Sequence, residues 1–572
     1  MKVKNNNRLL LILIILFLII GAILIFFNPI ENLIIKFSKL KNFVTNEYQG
    51  NIISDSALSK YYTKNQKFID VKHYSIKLDL FPKTKLLKGN TIISGDVTDS
   101  AITSLDFNLH DNMKVSSVTL NSKNINFNQQ GTTLSLLKRF NSGDTFSVAI
   151  KYQGTPESLG FGSFEFGKFE KKSVVYSLSE PIYASTWFPC NDKPTDKATA
   201  DIFITNDTSK TSVSNGKLID VVTSGTRRTY HWQTQYQISS YLIAIYSAEY
   251  SEFEDIYASK SGKKMPIKYY AFHSHLQKAK NDFAINLPAL KFFANKFGEY
   301  PFLKEKYGVA EFLWNAGAME HQTITGIGER LVSGKGFFKD IYVHELAHQW
   351  WGDAVSPKTW KDVWLNEGFA TYSEALFWEY QAGSDALIST MISKYGDFEN
   401  GTLYNPGSAL FSKLIYNKGS WVLHMLRREV GDKNFFAILK SYFKQYKYKN
   451  ASTEDFKNIC EEISHKNLDY FFNQWVFKGK GIIDLNYKFK SKSVSQTNYK
   501  TVLNLSQTQN GFSTYRFPID VRFDFTGHPF ADSTFYITSK DTAIICNSKY
   551  HVDNIEFDRN SWLLSKIKEV KN

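Results

Sequence analysis

The sequence predicts an α+β multidomain fold in which strand-patterned segments flank a central run of helices. Three observations carry this. Apolar residues alternate with a period of two over parts of residues 66–250 and again over 481–572, whereas the segment between them has helix-length stretches ended by glycine and proline. The length of 572 residues also exceeds what one hydrophobic core organises. With 43% hydrophobic and 22% charged residues, the composition fits packed globular units and excludes extended disorder.

In chain order, the first feature is an uncharged apolar run from Leu9 to Phe27, preceded by Lys2, Lys4 and Arg8. At about 1.5 Å per residue it nearly crosses a hydrocarbon core roughly 30 Å thick, and it exceeds the about 7–15 residues of a secretory apolar segment. The run predicts a transmembrane signal anchor over residues 1–30, left uncleaved. The positive flank keeps the N-terminus cytosolic, so the rest of a single-pass chain is expected outside the cytosol, periplasmic or extracellular, with the membrane as a partner through that helix. A polar stalk is expected over residues 31–65.

Residues 66–250 read as an antiparallel β domain. Tyr74, Ile76, Leu78 and Leu80 project to one face of a strand, and Phe146, Val148, Ile150 and Tyr152 repeat the pattern between Gly, Asn, Asp and Ser punctuation. Residues 251–480 read as a mainly helical domain, one helix being stopped by Gly298 and Pro301. Over 481–572 alternation returns in Leu485, Tyr487 and Phe489 and in Phe517, Ile519, Val521, Phe523 and Phe525, which predicts a small β-sandwich.

The formal charge of +14 is scattered rather than gathered in basic runs, so it describes a solvated lysine-rich surface and no nucleic-acid partner is expected. Cys190, Cys460 and Cys546 are odd in number and widely spaced, which excludes a disulfide framework and a cysteine-based metal site.

Chemistry gathers instead around Ile341-Tyr-Val-His-Glu-Leu-Ala-His-Gln-Trp-Trp351, a segment without proline or glycine. On a helix, His344 and His348 stand one turn apart on one face, where two imidazoles reach one cation, with Glu345 beside them. A hydrolytic zinc site keeps three protein ligands and one open position. Glu367, nineteen positions after His348 and at the start of a second helical stretch, is the candidate third ligand. Such a site makes water acidic enough for Glu345 to take its proton while the metal polarises a carbonyl. With twelve histidines in the chain, chance supplies His-Glu-x-x-His only roughly 0.01 times per sequence of this composition, so the pattern outweighs two solvated histidines. Glu374, seven residues after Glu367, is a possible partner for a ligand imidazole or an ordinary surface charge.

The segment His344-Glu-Leu-Ala-His-Gln-Trp-Trp-Gly-Asp353, followed by Trp364-Leu-Asn-Glu-Gly368, resembles the aminopeptidase N family of gluzincins, which includes the leukotriene hydrolase relatives. Gly317-Ala-Met-Glu-His321 is similar to that family's exopeptidase motif, with His321 where the family usually has Asn. The resemblance implies a thermolysin-like catalytic domain holding one zinc ion on His344, His348 and Glu367. It implies that Glu320 binds the free α-ammonium of a peptide while the backbone of Gly317, Ala318 and Met319 pairs with it. It further implies that Glu180, in Ser179-Glu-Pro-Ile-Tyr-Ala-Ser-Thr-Trp-Phe-Pro-Cys190, lines the same amine pocket, and that Tyr416 donates a hydrogen bond to the oxyanion. The expected protein is a membrane-anchored zinc aminopeptidase acting on peptides with a free N-terminus. A thermolysin-type endopeptidase and a surface receptor or adhesin with a vestigial peptidase site are the alternatives.

Overall fold

A computed structural model describes residues 61–315 and 317–570. Strand Ile69–Phe81 lies inside an eight-stranded sheet, ordered Lys217–Ser224, Arg227–Ile238, Ala198–Asp207, Ile69–Phe81, Leu86–Val97, Thr145–Gly154, Met113–Leu120 and Lys123–Asn124. Its period of two buries Tyr74, Ile76, Leu78 and Leu80, and a register shift between Val71 and His73 lets Val71, at an odd position, face the same core. Every neighbouring pair in this sheet is antiparallel except Ile69–Phe81 with Ala198–Asp207, which run parallel. A parallel pair needs a long crossover, and here the crossover contains the strands from Leu86–Val97 to Lys172–Leu178. Among them Lys172–Leu178, in a four-stranded sheet with Ser163–Phe169, Thr211–Ser214 and Ile245–Ala248, leads directly into the buried loop that carries Glu180.

The first described residues meet the β domain, and one expectation for the N-terminal part, the membrane location, is corrected. The end of the expected stalk docks on the β domain: the Tyr62 hydroxyl donates to the Asp192 carbonyl at 2.8 Å, the Tyr61 hydroxyl to the Asp192 carboxylate at 3.2 Å, and Thr63 Oγ1 to Asp106 Oδ2 at 2.7 Å. The expected single-pass membrane location, with its extracytoplasmic catalytic portion, is withdrawn. Among the described residues no helix is long and apolar enough to cross a membrane. The longest, Trp364–Ala382, carries the carboxylates of Glu367, Glu374 and Glu379. The anchor expected at Leu9–Phe27 lies outside the described residues.

Beyond the β domain a five-stranded mixed sheet runs in the order Tyr250–Ala258, Lys264–Phe272, Tyr307–Phe312, Thr325–Gly328 and Ala318–Met319. Helices Lys339–Ala347, Trp364–Ala382 and Gly419–Val430 follow. Two buried lysines join this part to the β domain. Lys197 Nζ donates to the carbonyls of Asp353 and Lys449 at 3.0 and 3.2 Å, and Lys306 Nζ to those of Ser214 and Thr323 at 2.9 and 3.0 Å. The C-terminal residues form a four-stranded and a three-stranded sheet, which meet where Tyr487 of one packs on Phe557 of the other, ring centroids 4.7 Å apart.

Helices Trp364–Ala382 and Gly419–Val430 cross with almost no separation at Gly368 and Gly419. A Cβ on Gly368 would stand 3.0 Å from the Cα of Gly419, and one on Gly419 would stand 2.9 Å from the Cα of Gly368. Both glycines sit inside helices, where alanine would bring up to about 1 kcal/mol of propensity. Backbone cannot yield as a flexible side chain does, so crowding decides the sign. Gly368→Ala or Gly419→Ala is expected to destabilise the protein by about 1–3 kcal/mol net, read as a lower midpoint in denaturant unfolding.

Candidate functional site

The helix Lys339–Ala347 carries His344 and Glu345, and its regular hydrogen bonding ends at His348, whose backbone is still helical. The chain then widens: the N–H groups of Asp353, Ala354 and Val355 reach back to the carbonyls of His348, Gln349 and Trp350. Gly352 makes the turn at φ +129, a conformation closed to other residues, and a Cβ there would lie 3.2 Å from His348 Nδ1. Glu367 stands in the first turn of the helix Trp364–Ala382.

These elements aim three donor atoms at one point. His344 Nε2 and His348 Nε2 are 3.0 Å apart, and Glu367 Oε2 lies 3.3 Å from each. The other ring nitrogens are engaged: His344 Nδ1–H donates to Glu374 Oε1 at 2.8 Å and His348 Nδ1–H to the Trp351 carbonyl at 2.9 Å. This fixes the tautomers, so two Nε2 lone pairs and a carboxylate converge. Ligand atoms at about 2.0–2.1 Å around a tetrahedral ion are roughly 3.3 Å from one another, and this triangle fits that spacing. Two nitrogens and one carboxylate oxygen are the donor set of a hydrolytic zinc site.

The electrostatics show the same demand for a cation. Burial works to lower the His344 imidazole, but Glu367 and Glu374 push it up to about 9. Burial works to raise the Glu367 carboxyl, but His348 and His344 hold it down to about 2. Glu374, which the sequence left open, is opposed by burial in the same way and held at about 2 by Lys394 and His344. Lys394 Nζ donates to its second oxygen at 2.8 Å.

Three more carboxylates crowd the same volume. Glu345, Glu320 and His348 offer atoms within 4.8 Å of one another, as do Glu180, Glu320 and Glu367. Burial pushes Glu345 up to about 8, and burial followed by neighbouring carboxylates raises Glu180. Burial also raises Glu320, against His348. Glu180 is 4% exposed and Glu320 3%, yet one oxygen of each, Oε1, has no hydrogen-bond partner among the described residues. Glu320 follows the strand Ala318–Met319, the last of the five-stranded sheet, which pairs antiparallel through Ala318 with Ile327 and Met319 with Gly326. The Gly317 carbonyl accepts from Gly328 N at 3.0 Å.

Tyr416 lies in a wide helical turn, Leu414–Lys418, that runs into Gly419–Val430, and its ring stacks on His344 with centroids 5.7 Å apart and planes at 17°. Burial, and after it Glu367, Glu180, Glu320 and Glu345, raise its phenol, which therefore stays a neutral donor. His321 points into the core: Tyr246 OH is 2.5 Å from its Nδ1, and burial pushes its imidazole down to about 3, which keeps it neutral.

Of the residues singled out in the sequence, Glu180, Glu320, His344, Glu345, His348, Glu367, Glu374 and Tyr416 gather in one cluster, but some of its supports had no signal in the sequence. Gln349 accepts from Thr323 N at 2.8 Å and donates to the Glu320 carbonyl at 3.2 Å, tying the His348 segment to the Glu320 strand. Its adjacency to His348 was the available clue. Lys394, twenty residues beyond Glu374, offered none.

Residues 70–242 match the family model for the peptidase M1 N-terminal domain and residues 282–475 that for the peptidase family M1 domain. Aminopeptidase N of Lactococcus lactis subsp. cremoris is 26% identical over 441 residues, covering 71% of this chain and 50% of its own length. Aminopeptidase 2, mitochondrial, of Saccharomyces cerevisiae is 28% identical over 446 residues, covering 71% of this chain and 46% of its own. The chain therefore spans about half the length of the curated relatives it matches. A Legionella pneumophila aminopeptidase A crystal structure in complex with aspartic acid superposes with a TM-score of 0.78 at 18% identity, covering 90% of this chain and 61% of that one. An M1 zinc metallopeptidase mutant from Deinococcus radiodurans, bound to a Tyr-Ser-Ala substrate, gives 0.63 at 24% identity, covering 72% and 95%.

Because Glu374 orients the His344 ring, Glu374→Ala is expected to weaken metal binding by about 10- to 100-fold with all three ligand side chains in place. Competition with a chelator measures this, and an unchanged affinity would remove Glu374 from the site.

Proposed function

The chain belongs to peptidase family M1, and from that premise we propose that it is a zinc aminopeptidase releasing one residue at a time from peptides with a free N-terminus. The observation that carries this reading is the pair of buried, partnerless carboxylate oxygens of Glu320 and Glu180 beside the His344, His348 and Glu367 donor set. An endopeptidase, whose substrates place an uncharged peptide bond at that point, gains nothing from burying two such groups.

In the proposed reaction the peptide ammonium sits between Glu320 and Glu180, where charge-assisted hydrogen bonds supply the partners these oxygens lack. The backbone of Gly317, Ala318 and Met319, at the end of the five-stranded sheet, pairs with the peptide as an added strand. Only the first peptide bond then reaches the His344, His348 and Glu367 donor set. His344, His348 and Glu367 would hold one zinc ion per chain, which when bound would supply Lewis acidity and make water acidic near neutral pH. Glu345 takes the proton from the attacking water and passes it to the departing amine. The Tyr416 phenol donates a hydrogen bond to the oxyanion that develops on the scissile carbonyl, a contribution of about 3 kcal/mol for a well-placed donor.

Glu345→Gln keeps the shape of the side chain but not its basicity, and is expected to lower kcat on an aminoacyl anilide by about 10²- to 10⁴-fold. Zinc content, measured by metal analysis, should stay at one per chain. Unchanged turnover with zinc bound would refute the role.

Glu320→Gln is expected to cost about 2–4 kcal/mol of transition-state binding, roughly 30- to 1,000-fold in kcat/KM. N-terminally acetylated peptides should be spared by both the parent and the variant. Cleavage of acetylated peptides by the parent would instead favour the endopeptidase reading.

A further inference from the structure

A cavity of about 380 Å³ opens between the helical part and the C-terminal sheets. Its wall includes Tyr395 just beyond the helix Ser384–Ser393, Trp421 of the helix Gly419–Val430, Tyr487 of the strand Ile483–Ser495, and Phe557 and Asp558 at the end of Asn554–Phe557. Its size falls at the lower end of the range for small-molecule sites, about 300–1,000 Å³. Four aromatic rings and one carboxylate therefore share a single concavity, and no Lys, Arg or His is among its described lining residues. The carboxylate on the wall is incompletely used. The Asp558 oxygens each accept one backbone N–H, from Trp562 and Leu563, both at 2.8 Å, which leaves lone pairs on both. The nearby Arg428 is directed to Asp520 at 2.5 Å.

We propose that this cavity binds a small organic ammonium ion. The aromatic rings that line the cavity and the Asp558 carboxylate attract the cation. Burial pushes the Asp558 carboxyl up to about 7, and a bound cation restores its charged form. The proposal is independent of peptide hydrolysis.

The test is calorimetric titration of the zinc-loaded full chain with choline and with its uncharged isostere, 3,3-dimethylbutan-1-ol. Choline is expected to bind at least tenfold more tightly than the isostere. Asp558→Asn should reduce choline affinity at least tenfold. Tyr395, 42% exposed at the mouth, can be replaced without disturbing the core, and Tyr395→Ala should weaken binding at least fivefold with an unchanged melting midpoint. Tyr395→Ala keeps the test open should Asp558→Asn fail to fold. Glu320→Gln should leave choline binding as it is. No measurable binding, equal binding of the isostere, or a loss in Glu320→Gln but not in Tyr395→Ala would each overturn the proposal, the last by moving the cation to the Glu180 and Glu320 pair.

Discussion

The structure is organised around a concentration of buried negative charge. Glu180, Glu320, Glu345, Glu367 and Glu374 all lie at or next to one point, each no more than 6% exposed, with two imidazoles and one lysine for company. Two like charges 4 Å apart at an effective dielectric of 20 repel by about 4 kcal/mol, before the cost of removing each carboxylate from water is counted. A fold holds such a cluster only if cations enter it or protons neutralise part of it. The upward shifts of Glu180, Glu320 and Glu345 and the elevated imidazoles of His344 and His348 are two faces of that demand.

Keeping the carboxylates in place against this repulsion falls to parts of the chain far apart in sequence. Glu180 hangs on a loop of the β domain, Glu320 follows an edge strand, Glu345 and Glu367 sit on two packed helices, and Tyr416 begins a third. The cross-links between these supports are made largely with backbone. Gln349 grips the Glu320 carbonyl, Lys197 grips the Asp353 carbonyl behind His348, and the Gly368 and Gly419 backbones touch one residue from Glu367 and three from Tyr416. Backbone contacts leave little freedom for the site to relax, which suits a centre whose donor atoms must all meet at one cation.

This distribution explains how much of the protein was legible in its sequence. His344, Glu345 and His348 are local, and a helical period brings them together whatever the rest of the chain does. Glu367 was readable because the chemistry needs a third ligand and a second helix begins there. The alternation at Tyr74 to Leu80 gave its strand because only one face is buried. The approach of Glu180 and Glu320 to the histidines depends on a sheet, a buried loop and two interdomain lysines, which no spacing encodes, so only resemblance pointed to it. The parallel pairing of Ile69–Phe81 was hidden for the same reason, since alternation reports which face is buried and not which strand lies alongside. The docking of Tyr61 and Tyr62 leaves no local signal in the sequence because their partner, Asp192, lies about 130 residues away.

The cluster offers two overlapping places for positive charge, and their chemistry divides the occupants. His344, His348 and Glu367 combine imidazole nitrogen with one carboxylate, a set that favours a borderline metal such as zinc. Glu180, Glu320 and Glu367 offer oxygen alone and share Glu367 with the first set. A second divalent ion there would compete for that shared carboxylate and meet the first ion's repulsion at short range. A monovalent ammonium meets half that repulsion and, as a donor, needs acceptors rather than a coordination shell. The free Oε1 atoms of Glu180 and Glu320 are such acceptors. On the proposed reading the same electrostatics thus sort the metal from the substrate, and the negative charge left after one dication is bound is what a peptide N-terminus is attracted to.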